Sequence, residues 1–204
     1  ILDDASWQYL QGYTETQSSK SLVVYPRTLD DCCELLEKSI KRGHMLCCRG
    51  GGYTYGDMIL NANHIILDTK QMNNIIQWDS ENGKIIVEPG VTIASILKLS
   101  LLHNRVLASI PGGMDVTVGG AISNNVHGKD AWKNGNFGDH VLSMKILLSS
   151  GDVIEVNHKK NKELFYAVIG GMGLLGIIVE ATLQLQKVPS AYVVVKSTHS
   201  RNIK

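Results

Sequence analysis

Apolar positions along the chain alternate between short continuous runs and helical spacing, and each change of period marks an element. Leu22-Val23-Val24-Tyr25 is a continuous run closed by Pro26 and reads as a strand. Thr28 then precedes Leu29, Cys32, Cys33, Leu36 and Ile40, which keep helical spacing. Asp31 stands at the third helical position as a reciprocal cap, and Gly43 ends the helix. Residues 45–48 and 64–68 are the next strands. Ile75–Asp79 and residues 84–88 flank Ser80-Glu81-Asn82-Gly83, a hairpin signal because Asn-Gly reaches positive φ cheaply. Thr92 caps a helix through Leu102, with Ile93, Ile96, Leu97 and Leu101 on one face. Residues 141–148 and 153–156 form an antiparallel pair about a Ser149–Asp152 turn; 163–168 reads as a short helix and 176–185 as a long strand. Residues 1–20 are polar, with Trp7, Tyr9 and Tyr13 as scattered anchors.

Glycine clusters interrupt this pattern. Arg49-Gly50-Gly51-Gly52-Tyr53-Thr54-Tyr55-Gly56-Asp57 follows the strand at 45–48. Glycine lets a ligand approach the bare backbone, and successive N–H groups in such a turn can cradle an anion. The loop is therefore a candidate diphosphate site at a strand's C-terminal end; the alternative is a flexible surface loop. The second stretch, Pro111-Gly112-Gly113 to Val118-Gly119-Gly120-Ala121, leads into residues 121–126. That segment is expected to be a short helix begun by small residues, whose free N–H groups face an anion or a ring carbonyl. Gly171-Met172-Gly173-Leu174-Leu175-Gly176 matches G-x-G-x-x-G, but β-branched residues follow it and position 196 is Lys. A nicotinamide-dinucleotide site needs a helix there and an acidic residue, so the match is a decoy.

Composition narrows the classes. The 204 residues are 44% hydrophobic, enough for a packed core, and a net charge of +1 argues against a nucleic-acid surface. No run of apolar residues is long enough to span a membrane, and no signal peptide is visible. The first residue is Ile1 rather than Met, which leaves room for residues upstream. Cys32-Cys33 and Cys47-Cys48 lack zinc or redox spacing and read as reduced thiols, pointing to a reducing, cytoplasmic compartment. The histidines show no metal-ligand spacing, so no metal is expected.

The order and spacing of the Arg-Gly-Gly-Gly loop, the Glu88-Pro89-Gly90-Val91 turn, the Pro-Gly to Val-Gly-Gly-Ala stretch and residues 170–178 resemble one family. It is the FAD-binding domain of the p-cresol methylhydroxylase and vanillyl-alcohol oxidase (PCMH-type) superfamily, and the resemblance covers about residues 23–189. Tyr55-Gly56-Asp57, residues 116–122, His127-Gly128-Lys129 and residues 135–140 are most similar to the decaprenylphosphoryl-β-D-ribose 2-oxidase branch, with aldonolactone oxidases next. The resemblance implies an α+β, two-subdomain fold. A small β-α-β subdomain (roughly 20–80) carries the diphosphate loop, and a second (roughly 85–190) holds an antiparallel sheet flanked by helices. A substrate domain would lie outside this chain. The implied FAD contacts are Arg49, Gly50, Gly51, Gly52, Tyr53, Thr54, Tyr55, Gly56, Asp57, Gly112, Thr117, Val118, Gly119, Gly120, Asn124, Asn125, Val126, His127 and Ile178.

Many family members bear a flavin-linked His after the triple glycine, and some a second link through Cys near 113–114. Here Tyr53 and Gly113-Met114 stand there, so non-covalent FAD is expected. The catalytic group is unassigned. His127 either lies near the flavin or holds a turn, Lys129 either stabilises charge on the reduced ring or is a solvated turn lysine, and Trp132 either covers a ligand or packs inside. The implied activity is oxidation of an alcohol carbon in a small or lipid-linked sugar, with a separate electron acceptor and no transmembrane segment, though peripheral membrane contact stays open. The alternatives are a stand-alone flavin-binding module without turnover and an aldonolactone-oxidase-like fragment.

Overall fold

Two sheets arise from these runs in the computed structural model, which describes residues 5–200 and 202. The first contains β1 (Ser6–Gln11), β2 (Ser18–Val24), β3 (Leu46–Arg49) and β4 (Ile65–Asp68), with helix α1 (Leu29–Lys41) between β2 and β3. Its order is β1-β2-β4-β3, with β4 parallel to both neighbours and β1 antiparallel to β2. The β-α-β unit expected over 20–48 is present, but β4 inserts between its two strands. All four β4 residues are buried, which suits the central position of a parallel sheet.

Helix α1 starts where its capping residues place it. The Thr28 hydroxyl accepts the Asp31 N–H at 3.1 Å, and the Asp31 carboxylate accepts the Thr28 N–H at 3.0 Å. Its buried face differs from the sequence expectation: Cys32, Leu35 and Ser39 are buried, whereas Ile40 is 59% exposed. Ser39 can turn inward because its hydroxyl donates to the Leu35 carbonyl, satisfying its only strong donor.

The second sheet is built from β5 (Ile75–Asp79), β6 (Lys84–Val87), β7 (Arg105–Leu107), β8 (Val141–Leu147), β9 (Val153–Asn157) and β10 (Ile177–Lys187). The path is β5-β6-β10-β8-β9, antiparallel throughout, and β7 joins the far end of β10. Helices α2 (Ile93–Ser100), α3 (Val118–Ser123), α4 (Ala131–Asn134) and α5 (Lys162–Val168) complete the α+β architecture. The main core packs Ile93, Ile96, Ala121, Ile122 and Phe165 of α2, α3 and α5 against Ile85, Met144, Ala181 and Leu183 of the sheet. A second cluster bridges the sheets, with Val24, Cys32, Leu67 and Met72 meeting Leu147, Ile177 and Val179.

Among the described residues the four cysteines are free thiols. Burial pushes the Cys32 thiol up to about 12 and raises Cys48 strongly too, so neither offers a thiolate at neutral pH. The turn at 88–91 ties the halves together. The Gly90 N–H donates to the Met72 carbonyl, while Pro89 and Val91 carbonyls accept from Gly119 and Val118 of α3, each at 2.8 Å. A Cβ on Gly119 would lie 2.9 Å from that of Pro89, so glycine sets the distance at which α3 seats on the turn.

Candidate functional site

The loop following β3 opens onto a cavity of about 730 Å³, within the range of cofactor pockets. Its wall takes in the loop from Arg49 to Tyr55, Pro89 of the turn at 88–91, and Gly112 and Gly113. Thr117, Gly119, Gly120, Asn124, Val126 and His127 line it from α3 and beyond, and Ile178 from β10. The two sequence-distant glycine stretches therefore face one space. Gly50 permits their contact, because a Cβ there would collide with the Thr117 side chain.

The loop supplies donors. Outside the strand ladder, no backbone carbonyl among the described residues accepts the N–H of Gly51, Gly52, Tyr53 or Thr54. Gly52 adopts φ +82°, the left-handed conformation that turns successive N–H groups to one side. Arg49 is the fixed cation on this wall, and no Asp or Glu lines it. Its guanidinium donates through both Nη atoms to the Gln11 carbonyl, each at 3.2 Å. Burial pulls its pKa down, and neighbouring Asp68 opposes that shift. Clustered N–H donors, one cation and no carboxylate fit a diphosphate, while Met58, Ile59, Val116, Ile177 and Ile178 supply apolar wall for a ring system.

The expectation that α3 presents free N–H groups is corrected. The helix begins at Val118, capped by Thr117, rather than at 121. Its Val118 and Gly119 N–H groups donate to the turn carbonyls described above, and the Gly120 N–H donates to the Thr117 hydroxyl at 3.4 Å. Packing against the turn consumes these donors, so α3 contributes shape and the loop contributes hydrogen bonds.

Six expected contact or candidate residues lie off the wall: Gly56, Asp57, Val118, Asn125, Lys129 and Trp132. Val118 is fully buried in the core. Asn125 adopts φ 42° and its side-chain oxygen accepts the Gly138 N–H at 3.0 Å, holding the following turn. Lys129 is exposed, as is Trp132 at 86%, which removes a buried packing role for that indole. His127 is exposed and on the wall. Tyr53 donates its hydroxyl to the Asp115 carboxylate at 3.4 Å; burial and then Asp115 raise its pKa, so the ring stays a neutral phenol.

Sequence reasoning missed Tyr13, Pro89, Ser123 and Met172 on the wall. Tyr13 carried no local signal because tertiary pairing of β1 brings it there. Met172 and Gly173 belong to the decoy motif; they take φ 55° and 75° and form a wall without a following helix. Among the described residues no group of three or more His, Cys, Asp and Glu side chains could hold a metal. No described helix is long and apolar enough to cross a membrane.

Asp68, the last β4 residue, is 3% exposed and pairs across the strands with Arg49. Burial raises its pKa from 3.8, outweighing the Lys70 N–H and ammonium and the Arg49 charge. A raised carboxyl favours folding only while protonated, so that contribution is present below about pH 3.8 and is lost as pH rises through the folded value. Asp68→Asn keeps an oxygen for the Lys70 N–H. Thermal melts should therefore show this variant slightly more stable than wild type at pH 7, with the gain shrinking to nothing near pH 4; a gain independent of pH would contradict the assignment.

Residues 20–157 match the FAD binding domain family. The chain is 36% identical over 151 residues to decaprenylphosphoryl-beta-D-ribose oxidase of Mycolicibacterium smegmatis, covering 74% of this chain and 33% of that protein. It is 33% identical over 165 residues to an uncharacterized oxidoreductase of the fasciation locus of Rhodococcoides fascians (80% and 37% covered), and 26% identical over 159 residues to bovine L-gulonolactone oxidase (78% and 36%). The chain thus spans about a third of the length of these relatives.

Proposed function

The chain belongs to the FAD-binding domain family, and from that premise we propose that it holds FAD non-covalently as the cofactor domain of an oxidoreductase acting on the CH–OH group of a sugar or sugar-lipid. The observation that carries the reading is the set of four backbone donors on a cavity wall with one arginine and no carboxylate. Gly51 to Thr54 would bind the diphosphate, and Arg49 would offset its charge through the field at the loop's base. The apolar residues at 177–178 and 58–59 would exclude water from the ring. FAD supplies the acceptance of a hydride and its onward transfer as electrons to an acceptor. His127, on the wall, is the candidate for contact with the reacting region; Lys129, off the wall, could act there only through its field.

Names among the relatives carry a lipid-linked ribose and a gulonolactone, which supports a carbohydrate-like CH–OH substrate. The partners on this reading are that substrate and a separate electron acceptor, in the cytoplasm or at a membrane surface. Tyr53 offers no imidazole nitrogen for a covalent link. Acid precipitation of the FAD-loaded protein should therefore leave the yellow colour in the supernatant. A yellow pellet would overturn the non-covalent reading, and a desalted protein whose spectrum ignores added FAD would overturn the cofactor assignment.

A further inference from the structure

The segment joining β1 to β2 grips the glycine loop from outside. The Gln11 carbonyl takes both Arg49 Nη donors. The Tyr13 N–H donates to the Thr54 carbonyl at 3.0 Å, and the Thr14 hydroxyl donates to the Tyr55 carbonyl at 2.8 Å. The Tyr13 ring packs against Tyr53 at 5.5 Å and edge-on against Tyr55 at 5.6 Å. Gly12 is buried, and a Cβ there would lie 2.7 Å from the Gly56 carbonyl oxygen. These contacts use carbonyls and rings of the loop and leave the N–H groups of Gly51 to Thr54 without backbone acceptors among the described residues. Three consecutive glycines would otherwise sample many conformations, and each would have to be lost on binding.

We propose that residues 11–14 form a strap that fixes the glycine loop in its anion-accepting conformation, with Tyr13 as the principal positioning residue. The strap lies upstream of the residues matched by the family, which begin at 20. The inference rests on the cofactor reading above only for the identity of the ligand. The strap works from the β1 edge: β1 pairs with β2 over six residues, which places Gln11 and Tyr13 beside the loop. Its effect is preorganisation, and because the Tyr13 ring also lines the cavity, loop order in the flavin-free protein, rather than affinity alone, separates the strap from a direct ligand contact.

The test compares wild type, Tyr13→Ala and Tyr13→Phe in two assays. FAD titration reads affinity, and limited chymotrypsin digestion of the flavin-free protein reads loop order by cleavage after Tyr53 and Tyr55. Tyr13→Ala should weaken FAD about tenfold, the effect of losing two aromatic contacts. It should also accelerate cleavage in the loop while leaving cleavage after Tyr166, exposed on distant α5, unchanged. Tyr13→Phe should restore both, because the packing belongs to the ring. Unchanged loop cleavage in Tyr13→Ala would overturn the strap, and so would equal acceleration at Tyr166, which marks general destabilisation. Failure of wild type to bind FAD would instead overturn the cofactor reading, and the digestion would still decide the strap.

Discussion

Gly51→Ala is expected to weaken FAD binding about 100-fold, because it should cost roughly two charge-assisted hydrogen bonds of ~1.5 kcal/mol each. The added Cβ would lie 2.7 Å from the Asp115 carbonyl oxygen and 2.9 Å from the Tyr53 ring. Backbone on one side and an aromatic ring on the other leave no easy retreat, so the loop itself must shift. That displacement moves the Gly51 and Gly52 donors together. The loop is at the surface of the first sheet rather than in either core cluster, so the melting temperature of the flavin-free protein should change little. Fluorescence titration of FAD alongside a thermal melt checks both halves; wild-type affinity in this variant would mean that the loop is not the diphosphate cradle.

Gly90→Ala should act on the fold. Its Cβ would collide with the Thr69 carbonyl and lie 2.7 Å from the Met72 carbonyl and 3.1 Å from the Lys70 Cα, all backbone atoms. Gly90 is buried, and its own N–H donates to that same Met72 carbonyl. Overpacking of this kind costs about 3 kcal/mol at the upper end of its usual range. For a chain of this length the melting temperature should fall by about 6–12 °C. The neighbouring Pro89 and Val91 carbonyls seat α3, so any loss of FAD affinity should accompany the loss of stability rather than exceed it. A melting temperature within one degree of wild type would show that the turn can yield.

The contrast between these two glycines marks what the chain's letters disclose. The triple glycine after an apolar run announced a ligand-accessible backbone, and Thr28 with Asp31 announced the start of α1, because each effect is local. The hairpin around Asn82-Gly83 was legible for the same reason, with Gly83 at φ +69°. β1 was not legible: it is an edge strand whose Trp7 and Tyr9 are 51% and 77% exposed, so burial wrote no alternation into it. β7 is three residues long and exists only because β10 extends far enough to pair with it. The insertion of β4 between β2 and β3 is a choice among tertiary pairings that no local pattern encodes.

At the site, glycines and cap residues were visible, but the fate of the α3 donors was not. Thr117-Val118-Gly119-Gly120 reads equally well as an anion-binding helix start and as a helix docked on a turn. The Pro89 and Val91 carbonyls, nearly thirty residues earlier, decide for docking. Tyr13 was hidden for the same reason: its role depends on β1 delivering it to a loop about forty residues away.

The most direct test of the central claim is calorimetric titration of the flavin-free protein with FAD, with FMN and NAD in parallel. FMN keeps the ring system without the diphosphate linkage, and NAD keeps the diphosphate without the flavin ring. A cavity that reads both parts predicts saturable one-site binding of FAD, much weaker binding of FMN and none of NAD. Equal binding of FAD and NAD, or no heat with FAD, would contradict it.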